Sequence, residues 1–345
     1  MKKNGFISIS VIYSFFLIFM LLLVLIISSY VNNRYSLDIY KNDIKEFINN
    51  KYYLYSSNKR KVSDVILGSI VSDTGSDGVY KETYSSGSST INHYHYEGSA
   101  PDNYICLEKQ EVSTANIEKC DIKNLFRIVG LYNVNYKATS TSGVTNQMLV
   151  KLVGVSSLGN KKFGSTTWNN TEIKTYLNTT YYNSLTTYQK KLIANVNWPY
   201  VRYSGSDYTN LTAYSAYTLE NSYSPSSGSN VSVVTSDLNY VGLLSLSDYG
   251  YASRVTSKCT RDTKLMNYSN STVDCAANSW LLYEEWLMAS VGPSDNGVFK
   301  TSTGSIAYTD IINSKIIRPS VFLNPNTYIV SGSGKADDPY RLFVS

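Results

Sequence analysis

Histidine is almost missing from this chain. Its 345 residues include 2, which excludes a His-rich zinc site. Cysteine is sparse too, and none of the 4 stands in a C-x-x-C pair, so zinc ribbons and thioredoxin-like redox chemistry lack their ligands. Charge is thin, at 17% of residues, and the net +5 is too dilute to mark a nucleic-acid surface. No G-x-S-x-G elbow, H-E-x-x-H or phosphate-binding loop occurs. A Ser-His-Asp triad would have to borrow His93 or His95, which share one strand face and read as structural or exposed residues rather than metal ligands. The carboxylate pairs Glu284-Glu285 and Asp337-Asp338 occupy adjacent positions and point apart. These absences argue against an enzyme, a metal and a cofactor.

What is abundant is tyrosine, with 32 residues, and a hydrophobic fraction of 43% that suffices for a real core. Tyr, Asn, Ser and Thr together give an uncharged, hydrogen-bonding exterior. Such residues also enrich binding surfaces, although codon bias in an AT-rich genome produces the same excess.

Long apolar runs are confined to the N-terminus. Val11 to Ile27 carries Ser14 as its only strongly polar side chain. A helix rises ~1.5 Å per residue and ~20 apolar residues cross a bilayer, so Ile7–Val31 is expected to span. Lys2 and Lys3 precede it, which would keep the N-terminus cytoplasmic and the bulk of the chain outside. Beyond it, Leu37, Tyr40, Ile44, Phe47, Ile48, Tyr52 and Tyr55 recur at helical spacing, an amphipathic stalk.

The leader Met1-Lys2-Lys3-Asn4-Gly5, followed by Phe6 and an apolar helix, resembles a type IV prepilin or pseudopilin. The resemblance implies cleavage between Gly5 and Phe6 by a prepilin peptidase, methylation of Phe6 and contact with pilin or pseudopilin subunits. The family's Glu five residues into the mature chain is Ser10 here, as in a tip-type minor pseudopilin or a surface protein with a borrowed leader. A plain uncleaved signal anchor is the alternative.

Residues 72–100 are rich in Gly and Ser and read as a polar linker, with one strand near Thr90–Tyr96. Cys106, Cys120, Cys259 and Cys275 are even in number and expected outside the cell, which predicts disulfides; three pairings are open. Beyond them the chain alternates short strands with two helices. Asn169-x-x-Glu172 and Thr186-x-x-Gln189 are candidate helix starts. Strands are expected at Phe126–Val134, Gln147–Val155, Tyr240–Ser245, Asn296–Thr301, Ile316–Leu323 and Tyr340–Phe343. Trp280 and Trp286 bracket an apolar segment and read as core. Arg318, between Ile317 and Pro319, would be buried and need a carboxylate, Glu284 or Glu285.

The ordered series Leu125–Gly130, Trp168–Ile173, Val241–Tyr249, Asn278–Leu281, Gly297–Phe299 and Ile317–Val321 resembles bacterial surface domains of the C-type-lectin-like superfamily. That superfamily shares a fold group with formylglycine-generating enzymes. The implied fold class is α+β: a long N-terminal membrane-spanning helix, then a C-type-lectin-like α+β domain with many loops. The expected organisation is 1–5 leader, 6–31 transmembrane helix, 32–71 stalk, 72–100 linker and 101–345 extracellular domain. The implied function is adhesion or ligand recognition at the cell surface or a pilus tip, toward a protein or glycan. Tyr283, Asp295, Asn296, Tyr308, Asp310 and Asn313 are the candidate contacts. A minor pilin with a purely structural role is the second reading. An oxidase using free thiols at Cys259 and Cys275 is the third. The Glu-Pro-Asn, Gln-Pro-Asp and Trp-Asn-Asp motifs of calcium-dependent sugar binding are missing; Asn324-Pro325-Asn326 is a faint echo.

Overall fold

Leu125–Lys137 is mostly apolar and buried on both faces as far as Tyr132, the pattern of a strand covered on two sides, and alternates beyond it. In the computed structural model it is the central strand of the fold. The structure describes residues 16–30, 59–71, 75–86, 89–109, 119–139, 141–222, 232–292 and 295–344. Contacts divide the chain into two units, Met1–Asn58 and Lys59–Ser345.

The central strand pairs antiparallel with Val144–Gly154, with a bulge between Ile128 and Gly130. Its flanks also take up Ser89–Glu97, Tyr104–Cys106 and the start of Asn195–Tyr203. The sheet continues from Asn195–Tyr203 through the parallel strand Glu285–Val291 to Asn296–Lys300 and the edge strand Ile306–Asp310. In the other direction it runs from Tyr104–Cys106 through Tyr340–Val344 and Thr327–Ser331 to Arg60–Lys61. Ser320–Phe322 packs beside Val144–Gly154.

Three sequence expectations are corrected. First, the described N-terminal helix covers 16–30 only. Among the described residues no helix is long and apolar enough to cross a membrane. The leader with Gly5 and Phe6, the remainder of the expected span and stalk residues 32–58 lie outside the described residues.

Second, the body is β-rich rather than a loop-dominated α+β domain of C-type-lectin-like type. Fifteen strands join in one branched sheet, and its longest described helix, Ala213–Ser222, has ten residues. Burying a sheet centre on both faces takes long paired strands, and the apolar runs supply them. Third, the expected linker is part of that sheet. Gly78–Ser86 and Ser89–Glu97 form an antiparallel hairpin whose second strand pairs with the central one. Its alternate residues Tyr94 and Tyr96 are aromatic, and His93, His95 and Glu97 turn inward and are buried.

Helix starts follow the capping rules. Thr186 and Gln189 form a reciprocal capping box for Thr187–Leu192. The other start is Thr171, not Asn169: the Thr171 hydroxyl accepts from the Lys174 N–H at 3.0 Å, while Trp168–Asn170 is a separate 3-10 turn. All four tryptophans are buried. The indole of Trp280 donates to the Tyr96 carbonyl at 2.7 Å, and that of Trp286 to the Lys161 carbonyl at 2.8 Å, so both roles are structural. The cysteines pair locally, Cys106 with Cys120 and Cys259 with Cys275. Arg318 pairs with Glu285, not Glu284; its Nε donates to Glu285 Oε2 at 2.9 Å. Glu284 instead accepts from Lys315 at 2.8 Å.

Candidate functional site

Two regions gather chemistry: an internal polar network and an open groove.

The network starts on the hairpin strand Ser89–Glu97, whose alternation sends His93 and His95 inward. His93 Nε2 accepts from the Asn133 N–H at 3.0 Å, so its hydrogen sits on Nδ1 and points at the Tyr217 hydroxyl, 3.0 Å away. The Tyr132 hydroxyl donates to Asp248 Oδ1 at 2.9 Å and lies 3.1 Å from His95 Nδ1. One hydroxyl has one hydrogen, so His95 Nδ1 carries its own and its Nε2 is a bare lone pair. That atom is buried and has no hydrogen-bond partner among the described residues. The His95 ring stacks on Tyr251 with centroids 4.4 Å apart.

Beyond Tyr132, Asp248 occupies the third position of the helix Leu246–Tyr251 and closes a capping box with Ser245. Asp248 Oδ2 also meets the ammonium of Lys151. Glu220, from Ala213–Ser222, accepts from the Leu246 N–H at 3.0 Å and from Ser247. A six-residue helix thus starts against two buried carboxyls, which suits the positive end of its backbone dipoles. Glu97 pairs with Arg261, which also donates to the Ser253 carbonyl at 3.0 Å.

Burial sets the titration of these groups. Desolvation lowers His93 from 6.5 to about 4, and His95 well below 6.5. It pushes Glu220 up to about 7 despite the Ser247 hydrogen bond, and Glu97 up to about 7 despite Arg261. The signs oppose. An unfolded imidazole binds protons below 6.5 that the folded one refuses, so the histidines cost stability as pH falls from 6.5 toward 4. Each buried carboxyl holds a proton the unfolded chain has released, so its contribution fades as pH rises from 4.5 to about 7. We expect the imidazole C2-proton shifts of His93 and His95 to stay flat in the folded chain from pH 8 to about 5. An NMR titration midpoint near 6.5 for His93 would contradict the burial described here.

None of this network reaches solvent enough to meet a dissolved substrate: His93, His95, Lys151, Glu220 and Asp248 are each at most 3% exposed. The groove differs. It encloses about 1130 Å³ beside the helical segment 172–192. Its walls hold half-buried Tyr176, Tyr181 and Tyr188, the amide of Gln189, and exposed Thr180, Ser184 and Thr186. Lys109, Lys119 and Lys123 rim it, against Glu108 and Asp121. Asp121 is engaged by Lys123 at 2.7 Å, and Glu108 accepts from Asn124. The π-turn Tyr176–Tyr181 sets the spacing of its two tyrosines on the wall.

The sequence-predicted contacts lie elsewhere. Asn296 and Asp310 are register partners on the edge hairpin, where Asp310 Oδ1 accepts from the Ile312 N–H at 3.0 Å. Asp295 and Asn313 are exposed at its end, and the Asn313 amide donates to Thr309 at 2.8 Å. Tyr308 is exposed and meets Tyr208 edge-on at 5.3 Å. Tyr283 stands apart from them under Arg318, 4.6 Å from its guanidinium carbon. None of these six lines the groove. The groove residues carry no signal in the sequence, because surface tyrosines in helical segments look like solvated faces. Lys151 was legible: it interrupts the apolar run Leu149–Val153, the same signal that singled out Arg318. Cys259 and Cys275, which an oxidase would need as free thiols, form a disulfide. No family model, curated protein or solved structure matches this chain.

Proposed function

We propose that the unit Lys59–Ser345 is a binding module of an oxidising, extracytoplasmic compartment, and that its groove takes a hydroxyl-rich, weakly anionic chain such as a surface glycan. One observation carries the reading: the groove is walled by tyrosines, amides and hydroxyls and rimmed by lysines, while His93, His95, Glu97 and Glu220 are sealed inside. Tyrosine faces stack on sugar rings with little entropy to lose, and their hydroxyls bond to sugar hydroxyls. Lys109, Lys119 and Lys123 against two carboxylates leave one positive charge in excess, which favours an anionic polymer. Two disulfides with no free cysteine support the compartment.

The test is a glycan array probed with the full chain, followed by titration of the best acidic oligosaccharide. Tyr181→Ala is expected to weaken binding about tenfold or more through lost stacking. Lys123→Gln should weaken it less, and the native affinity should fall with added salt. Binding that survives Tyr181→Ala unchanged, or an array without acidic hits, would remove the proposal.

A further inference from the structure

Lys151 projects from the strand Val144–Gly154 into the space under the helix Leu246–Tyr251. Its side chain is 4% exposed and that of its partner Asp248 is 0% exposed. Nζ touches Asp248 Oδ2, and the rings of Tyr132, Trp198 and Phe322 surround it at 5.6, 5.4 and 5.7 Å. Asp248 Oδ1 receives the Tyr132 hydroxyl at 2.9 Å, while Oδ2 receives the Ser245 N–H and hydroxyl, both at 2.7 Å. A primary amine is therefore held against a carboxyl oxygen, one bond from the carbon it would attack and away from water, with hydrogen-bond donors already aimed at both oxygens.

We propose that Lys151 and Asp248 condense in the folded chain to an intramolecular amide, a covalent strut between residues 97 apart in sequence. The amine attacks in its neutral form, so one proton first passes from Nζ to Oδ2 along the contact between them. The freed lone pair of Nζ attacks Cγ, the N–C bond forms, and the carbonyl electron pair moves onto Oδ1. The Tyr132 hydroxyl stabilises that oxyanion in place, with no reorganisation at the moment of reaction. The Cγ–Oδ2 bond then breaks. Oδ2 already carries one proton, takes a second from nitrogen and leaves as water. Of the three ammonium hydrogens, one stays on the amide and two depart with Oδ2, so no oxidant, activating group or cofactor is needed. Fixed contact supplies the effective concentration that makes an otherwise slow condensation proceed. Tyr132 and Ser245 touch the reacting atoms; His95, behind Tyr132, holds that hydroxyl's direction. The strut is independent of the ligand proposed for the groove.

Mass spectrometry of the purified full chain decides it. After reduction of both disulfides, the mass counted from the observed N-terminus is expected to lie one water below the sequence mass. Proteolysis should yield a branched peptide joining the segments around 151 and 248. Lys151→Arg keeps a cation against Asp248 without a primary amine, and should restore the full sequence mass. Tyr132→Phe removes the donor at Oδ1 and should give a mixture of linked and unlinked chains. A native chain at full sequence mass overturns the proposal, whatever the variants do. So does a water loss carried by a linear peptide at Asp248, which would be an imide, or one that persists in Lys151→Arg.

Discussion

Glu285→Ala is expected to remove about 3–5 kcal/mol of stability, measured as a lower urea midpoint. The reason is the charge it strands. Arg318 is 5% exposed and aims both its Nε and one terminal nitrogen at the Glu285 carboxylate. Its remaining terminal nitrogen donates to the Gly154 carbonyl at 3.2 Å, and among the described residues Glu285 is its only carboxylate. Lys300 lies opposite Glu285 in the sheet register, is 1% exposed, and is lowered to about 8 by burial, with Glu285 pulling it back up. Removing one carboxylate leaves two buried cations facing each other. Exchanging the whole pair should cost far less: Glu285→Leu with Arg318→Met removes both charges at similar volume, and recovers most of the loss. A Glu285→Ala chain within about 1 kcal/mol of the native one would mean that water reaches Arg318 after all.

The second large effect belongs to a glycine. Gly130 sits at the bulge of the central strand, opposite His95 of the hairpin. A Cβ there would fall 2.1 Å from the Tyr94 carbonyl oxygen, and 3.0 Å from the Tyr132 ring. Backbone atoms cannot step aside as a flexible side chain can, so the hairpin would have to leave the central strand. With it would go the bonds of His93 to Asn133 and of His95 to Tyr132. Gly130→Ala should therefore cost about 4 kcal/mol or more, outside the usual range for a single methyl group. Gly68→Ala is the matched control. It ends the helix Val62–Gly68, its added Cβ meets nothing within 4 Å, and it should be neutral or slightly stabilising. Thermal melts of the two variants side by side provide the comparison; equal melting temperatures would show that the hairpin is not held where described.

Much of this could be read from residue order. The Thr186–Gln189 capping box is local chemistry, complete within four residues, and so it appears in the sequence as it does in space. Arg318, between the strands Ser314–Ile316 and Ser320–Phe322, demanded a carboxylate because burial makes an unpaired guanidinium too costly, and one of the two adjacent candidates supplied it. Other segments misled for identifiable reasons. Asn195–Tyr203 is absent from the expected strands and carries Pro199 at its middle; the register shift between Asn197 and Pro199 accommodates it. The hairpin Gly78–Glu97 has a loop's composition, and only its neighbour strand gives the inward residues a core to enter. Ser245-x-x-Asp248 is a capping signature at the end of Tyr240–Ser245, whose apolar run reads as a strand.

Residue types and their spacing alone determined which side chains had to be buried, which charges needed partners, and where several helices begin. These follow from solvation and short-range hydrogen bonding, which act over a few positions. The pairing of distant elements was decided only in three dimensions: which carboxyl meets Lys151, which hydroxyl meets His95, and which tyrosines share a groove. Strand register and sheet order place those groups together, and both depend on the sum of many weak contacts between segments far apart along the chain.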